Sequence, residues 1–527
     1  MAVKMEIVLN RWLHSLKISV SSSYLSDKLR SHSDYPSLSS ITAALDELGI
    51  DNAALVVDKE KLDKLPVPFL AHSSVNGGRF IVVKNIKKQI LKNTKFEKNW
   101  NGIAVLAEKP ENWYHADNAS NLVKETKVKY QIILAGVVII LFAGISLFNH
   151  FSWQIVSLFL FSLVGLASAI LIVQHELGIS NELTEQLCSA GKNTDCEAVM
   201  HSKGSRVGKW FNWADAGIIY FSSFLLLLVS LSSGLLILAI LSAAAIPFTF
   251  FSLYYQWQVV KKWCPLCLIT VAILWMQFVL LLPLLTAFNL TAVGVSAIAF
   301  IAFIFTAVSA IWLLIIKTTL NHNIELTDKN YSLLRFKNNP NIFSALLKQQ
   351  RKADITPFEN DLQLGNLSAP LQIMVACDPY CRPCAKVHEA LDKLTTKNDI
   401  GLTVRFAIKT GNREDKKLQA VEYVLRLLHG KSNAYKRRAL HEWYAEMNME
   451  KFNEKYLLKE DVNVDDLLIQ HENWSEKTKI AFTPTIFING NELPKQYDVA
   501  DLRQLFQEWK NKEKAEDKQP KNEYLLV

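Results

Sequence analysis

The chain of 527 residues is long enough for several domains, half of it is hydrophobic, a fifth is charged, and its mean hydropathy is positive. That mixture excludes one uniform soluble globule and points to greasy and soluble parts joined together. A formal charge of +8 with no long basic run reads as lysine-rich soluble faces and argues against a nucleic-acid partner.

The first twenty residues, MAVKMEIVLNRWLHSLKISV, lack the apolar core and small-residue cleavage site of a signal peptide. Export is therefore expected to rest on internal membrane segments. Residues 1–125 read as a small soluble α/β domain. LSSITAALDEL (Leu38–Leu48) is a helix pattern closed by Gly49, FIVV (Phe80–Val83) a short buried strand, and GIAVLAE (Gly102–Glu108) another. Residues 126–320 change character. A bilayer crossing needs about 20 apolar residues, and six stretches qualify: Tyr130–Phe148, Phe151–Val173, Trp213–Leu231, Leu235–Tyr255, Cys264–Leu282 and Phe288–Ile316. Only Asn149 and His150 part the first two, so these are expected to form a tight hairpin.

Residues 321–363 read as a polar linker and 364–510 as a second α/β domain. LQIMVAC, ending at Cys377, is strand-like; a helix from Cys384, strand LTVRFAI, a long helical region from Asp415 to about Lys479, and strand TIFING follow. Residues 511–527 form a charged tail with the composition of a disordered segment.

The seven cysteines are too few for a disulfide-stapled secreted scaffold and sit in three groups: Cys188 and Cys196, Cys264 and Cys267, and Cys377, Cys381 and Cys384. Cys381 lies at a helix N-terminus, where the dipole and free N–H groups favour a thiolate, with Arg382 beside it. Cys384, one turn on, is placed to attack a mixed disulfide. Cys377 is off this pattern and reads as a buried small hydrophobe at a strand end. Counting crossings, the loop holding Cys188 and Cys196, the head of the fifth span at Cys264, and the second α/β domain share one side of the membrane. A thiol relay needs that arrangement. Structural zinc through Cys188, Cys196, Cys264 and Cys267 is the competing reading, although no second ligand pair adjoins any one motif.

DPYCRPCAKVHEAL, from Asp378, followed about a hundred residues later by FTPTIFING, resembles the thioredoxin superfamily. The resemblance implies that Thr483 and Pro484 form the cis-proline loop facing Cys381 and Cys384. The helical insertion between the motifs looks like that of bacterial thiol-disulfide oxidoreductases. Asp195, Cys196, Val199 and Ser202, then CPLC at Cys264–Cys267 heading a later span, resemble the vitamin K epoxide reductase family. This implies a four-helix core, here with extra spans, in which Cys267 faces a quinone of menaquinone or ubiquinone type. It also implies that Cys264 exchanges with Cys188/Cys196 and that Ser202 hydrogen-bonds a quinone carbonyl. Pro265 suits a helix start. Lys261 and Lys262 stand at the membrane rim, where lysines commonly snorkel.

At the N-terminus, DYPSLSSITAALDELGIDNAALVV, LDKLPVPFLAH, GGRFIVV and FEKNWNGIAVLAEKP resemble the C39 cysteine peptidase fold. No cysteine precedes Cys188, and Arg79 stands where the family's histidine would be. Nucleophile and base are both missing, so the expected remnant is a peptide-binding fold or a plain scaffold rather than a peptidase.

The combined expectation is a multi-domain membrane protein that makes disulfides in exported proteins or peptides with free thiols and passes electrons to a quinone. Its rivals are a peptide-binding maturation factor and a reductive transmembrane electron carrier. Disulfide chemistry places the thiol face in the periplasm of an inner-membrane protein. Lys124, Lys127, Lys129, Lys261, Lys262 and Lys317 flank that same face and by the charge rule argue for the cytoplasm. The oxidative chemistry decides for the periplasm.

Overall fold

The protein is described from a computed structural model. It describes residues 5–74, 78–86, 96–148, 152–179, 184, 187–188, 194–207, 211–230, 235–286, 295–397, 400–458, 462–503 and 505–506. The chain divides into two compact units, Met1–Ser332 and Leu333–Val527.

The first unit opens with helices α1 (Met5–Ser15), α2 (Ser22–Arg30) and α3 (Leu38–Glu47). Ser37 and Ser40 cap α3 reciprocally, and Gly49, at φ 67°, turns the chain out of it. Strands β1 (Asp51–Val56), β2 (Phe69–Ser73), β3 (Arg79–Val83) and β4 (Trp100–Glu108) pair antiparallel in the order β1-β4-β2-β3. Strand alternation splits the core. Leu70 and Val105 pack with Leu9, Trp12, Leu25 and Ile41 of the helices, whereas Phe69, Ala71 and Val83 join Phe96 and Trp100 in a second cluster.

Helix α4 (Ala116–Phe148) leaves this domain and contains the first expected span; the side chains of 139, 142, 143 and 145–148 lie outside the described residues. The hairpin turn at Asn149 and His150 also lies outside them. Among the described residues five helices are long and apolar enough to cross a membrane: α5 (Trp153–Glu176), Trp213–Ser230, Leu235–Val260, Pro265–Leu285 and Val295–Lys337. They overlap the other five expected spans, of which residues 151, 231 and 288–294 lie outside the described residues. Between α5 and the next span lies the short helix α6 (Cys196–Met200), so the spans that follow are α7 to α10.

Apolar all round, these helices interlock through small and polar side chains. A Cβ on Gly165 of α5 would meet the Phe221 ring of α7 at 2.3 Å. Ser168 and Thr270 hydroxyls lie 2.9 Å apart, and the Gln277 amide donates to Ser162 Oγ at 2.8 Å. At the rim, buried Asp215 accepts from the Trp312 indole and the Asn212 N–H, both at 2.9 Å, and pairs with Lys317. That cluster pins α10 to α7.

The segment read as a linker is largely structured. Helix α10 runs unbroken to Lys337, α11 (Pro340–Lys348) follows, and strand β5 (Leu362–Gly365) already belongs to the second sheet. The sequence reading failed here because α10 loses its apolar pattern after Ile316 without losing helical backbone. The second unit continues with β6 (Gln372–Cys377), α12 (Arg382–Lys397) and β7 (Gly401–Phe406). Helix α12 starts at Arg382, before the expected Cys384. The long helical region resolves into α13 (Lys416–Leu428), α14 (Asn433–Glu446), α15 (Met449–Lys455) and α16 (Asp465–Lys477). Strands β8 (Thr485–Ile488) and β9 (Asn491–Glu492) complete a sheet of order β9-β8-β6-β7-β5. Only β6 and β7 run parallel, with β8 antiparallel to β6. The charged tail lies outside the described residues.

Candidate functional site: two thiol centres

In the first unit the loop cysteines are joined, with Cys188 and Cys196 in a disulfide of S–S 2.00 Å. Cys196 opens α6, whose N-cap Asp195 accepts the Ala198 N–H at 3.0 Å. Thr194 bridges Trp263 in parallel register, and the Asp195 N–H donates to the Trp263 carbonyl at 3.0 Å. One residue beyond each of those contacts stands a cysteine, Cys196 and Cys264. Helix α8 ends in a π-helical turn, Tyr255–Val260, then Lys261 takes a left-handed φ of 55°. The turn aims buried Gln256 at the next helix, and its Oε1 accepts the Cys264 N–H at 2.8 Å. The Cys267 N–H in turn donates to Cys264 Sγ at 3.3 Å. Cys188, Cys196, Cys264 and Cys267 share one apolar cluster with Val199, Met200 and Leu266.

Cys267 also lines a cavity of ≈ 260 Å³. Trp213, Phe221, Phe248, Phe251 and Leu274 make it apolar and aromatic. Ser202 is on its wall, but its hydroxyl donates to the Val199 carbonyl at 2.6 Å. Tyr255 lies on the same wall and accepts the Gly204 N–H at 2.9 Å, and its own proton has no acceptor among the described residues. A Cβ on Gly204 would stand 2.4 Å from the Tyr255 ring, so that approach requires glycine. The sequence reading missed Tyr255 and Gln256. The available signal was a glutamine inside an otherwise greasy run just before the Cys-x-x-Cys. Glu176 reaches the cavity too, held by the Asn212 amide.

In the second unit the turn after β6 delivers Cys381 to the start of α12. The Cys384 N–H donates to Cys381 Sγ at 3.3 Å, and the Cys381 thiol donates to the Thr483 carbonyl at 3.4 Å. The Thr483–Pro484 peptide is cis, and the Thr483 carbonyl faces the pair through that hydrogen bond. Cys384 is fully buried and Cys381 partly exposed. A hydrogen bond from Cys377, outweighing burial and helped by Cys381, brings the Cys384 thiol down to about 6. Burial and the bond to Cys384 hold Cys381 above the ordinary thiol value. The sequence expectation placed the favoured thiolate at Cys381; within the pair it is Cys384 whose thiol is lowered. Access separates them, since Cys381 is the more exposed of the two. Lys417 pairs with Asp378 at 2.5 Å and braces the turn.

Among the described residues no three His, Cys, Asp or Glu side chains converge as metal ligands. In the N-terminal domain Arg79 pairs with Ser73 across β3 and β2.

Residues 156–282 match the model of the Vitamin K epoxide reductase family, residues 358–508 a Thioredoxin model, and residues 6–112 the Peptidase C39 family. No curated protein matches the chain. Similar solved structures include oxidised BdbD from Bacillus subtilis, 12% identical, covering 31% of this chain and 96% of that one, with a TM-score of 0.23. ScsC from Proteus mirabilis in a compact conformation is 17% identical, covers 38% of this chain and 96% of its own, and has a TM-score of 0.25. DsbA from Chlamydia trachomatis is 14% identical, with 31% and 99% covered and a TM-score of 0.24. The chain thus carries a Peptidase C39 family domain, a vitamin K epoxide reductase family domain and a thioredoxin-like domain in that order, and it is a multi-pass membrane disulfide oxidoreductase.

Proposed function

We propose that the protein is a thiol:quinone oxidoreductase of the inner membrane that makes disulfides in exported thiol-bearing proteins. Electrons pass from substrate to Cys381/Cys384, then to Cys188/Cys196, then to Cys264/Cys267. The observation that carries this reading is the packing of Cys188, Cys196, Cys264 and Cys267 in one cluster whose last member faces the aromatic cavity.

Each transfer is a thiol-disulfide exchange in which a thiolate attacks one sulfur and displaces the other. Cys264, wholly buried beside Cys196, is the member placed to exchange with the loop pair. Its backbone tie to Gln256 fixes the head of α9 while sulfur partners change. The cavity fits a quinone: aromatic walls suit a lipid-soluble ring, and Tyr255 offers a hydroxyl donor for a carbonyl. A quinone bound there supplies a two-electron acceptor. Ser202, whose proton serves Val199, contributes an acceptor oxygen and wall shape. The thiol face is assigned to the periplasm. The N-terminal domain, without a cysteine, is assigned a peptide-binding or scaffold role rather than proteolysis.

Cys267→Ala is expected to abolish quinone reduction, followed by quinone absorbance after a reduced dithiol protein is added. Exchange between Cys381/Cys384 and that substrate should persist. Undiminished quinone reduction in the variant would refute the assigned order.

A further inference from the structure

The wall of the thiol cavity holds one acid of ordinary strength. Among the described residues that line it, Glu176 carries the one carboxyl group and Cys267 the one thiol. Glu176 ends α5 at the membrane rim and is half-buried. The Asn212 amide donates to its Oε1, while the Asn212 N–H donates to Asp215 Oδ2 at 2.9 Å. Asp215 is engaged in turn by Lys317 and by the Trp312 indole of α10. The carboxyl is therefore positioned by a residue that is itself tied to α7, which α10 holds in place.

The charges that act on Glu176 come from Lys317 of α10 and Asp215 of α7, then from Arg206, which pairs with Asn212 across a short hairpin, and from His201 at the end of α6. His175 precedes it on α5. Among the described residues none of these forms an ion pair with Glu176, and the Lys317 ammonium is already taken by Asp215. An unpaired carboxyl in an apolar wall is accommodated at least cost with its proton on. Asn212 occupies Oε1, which leaves Oε2 to hold that proton. Tyr220 and Tyr255 share the wall, but a phenol, at about 10 against about 4.3 for an ordinary glutamic acid, is a poor proton donor near neutral pH.

We propose that Glu176 is the proton donor of the cavity: its carboxyl, positioned by Asn212, protonates a ring oxygen of the quinone as electrons arrive from Cys267. This rests on the reading of the cavity as the quinone site. The step balances. Cys264 and Cys267, as a dithiol, lose two electrons and two protons and close an S–S bond. The quinone gains two electrons and two protons, one at each ring oxygen, and leaves as a quinol. Glu176 gives one of those protons, and the Cys267 thiol on the same wall gives the other. The Cys264 proton departs as the S–S bond closes, and Glu176 recovers one from water at the rim.

The test uses full-length protein in detergent, reduced with a dithiol, freed of it by gel filtration and mixed with a short-chain ubiquinone. Glu176→Gln keeps an acceptor for the Asn212 amide and removes the acid. The first turnover, read by quinone absorbance, should slow about 100-fold in that variant. The alkaline limb of the wild-type pH profile should be absent from it, and Glu176→Asp should recover most of the rate. Two further readouts need no turnover. Quenching of tryptophan fluorescence by the quinone in oxidised protein, with Trp213 on the wall, should give an affinity within about threefold of wild type. The infrared carbonyl band of a protonated carboxyl should shift when the quinone binds to wild type and be missing from Glu176→Gln. A glutamine variant that turns over as fast as wild type, or that keeps the band, would overturn the proposal. So would one that loses quinone affinity along with rate, because Glu176 would then be a wall residue only. If the wild-type protein reduced no quinone at all, the quinone reading itself would fail and the proposal would fall with it.

Discussion

Asp361 shows how much a single buried carboxylate holds in the second unit. The side chains of Asp361, Arg405 and His471 are all fully buried. Asp361 Oδ2 accepts from Arg405 at 2.8 and 3.0 Å, and His471 Nε2 lies 2.9 Å from Oδ1. The guanidinium also lies over Phe358 at 3.7 Å and Trp474 at 5.0 Å. Burial acts to raise the Asp361 carboxyl, but the hydrogen bond and charge of His471, then those of Arg405, hold it below the ordinary value. Its stabilisation is therefore complete above the unfolded aspartate value of about 3.9 and lost as pH falls through the lower folded value. Asp361→Asn leaves a buried guanidinium uncompensated, at a cost of about 3–5 kcal/mol. A urea titration read by proteolysis within the second unit should show the lost midpoint at pH 7 and a flatter response to acid. Nothing in LTVRFAI announced this role. One arginine in a strand reads as a solvent-facing residue, and its carboxylate lies 44 positions away. The thiols were legible by contrast because Cys-x-x-Cys and Thr-Pro carry their chemistry in neighbouring residues.

Helix packing in the membrane depends on close approach where the sequence offers only small residues. Gly165 lets α5 meet the Phe221 ring of α7, and Phe221 also lines the thiol cavity. Gly165→Val forces one helix away from the other and is expected to cost about 1–3 kcal/mol. The cavity should distort with it, read as a lower thermal midpoint in detergent and weaker binding of a quinone analogue. Element existence was plain from the runs of apolar residues, and the five long helices follow them. The π-helical turn at Tyr255–Val260 was not, because YQWQVV has no local signature of an extra residue per turn. Its effect appears only in space, where it brings Gln256 to Cys264 and Tyr255 to Gly204.

Across the first unit, the N-terminal domain is held by both ends of the membrane segment. Glu125 of α4 accepts from the Ser21 and Ser23 hydroxyls and the Ser23 N–H, each at 2.8 Å. Arg30 pairs with Asp328 of α10 at 2.5 Å and lies over the Tyr331 ring at 4.1 Å. The start of α4 and the far end of α10 therefore both meet the same domain. Lys317, one of the lysines that argued for a cytoplasmic face, is paired with buried Asp215. It is a structural partner, and its weight as a topological signal falls accordingly. Alkaline phosphatase fused after Lys337 is expected to be active, and an inactive fusion would place the thiol face in the cytoplasm. Domain order was legible from composition, whereas the contacts of residues 21–30 with 125 and 328 join positions far apart in the chain and leave no local trace.

The loop disulfide has a mechanical side. Cys188 and Cys196 close a ring with a sequence separation of 8, and the residues after Cys196 (Val199, Met200, Ser202, Gly204 and Ser205) are one wall of the cavity. Closing so short a ring withholds conformational entropy from the chain worth on the order of 2.5 kcal/mol at room temperature in the chain-entropy account. Reducing that bond would remove the wall's covalent tether and leave hydrogen bonds to hold it, among them Asp195 to the Trp263 carbonyl, Gly204 to Tyr255 and Trp213 to the Gly204 carbonyl. The loop disulfide is thus also a latch on the cavity wall.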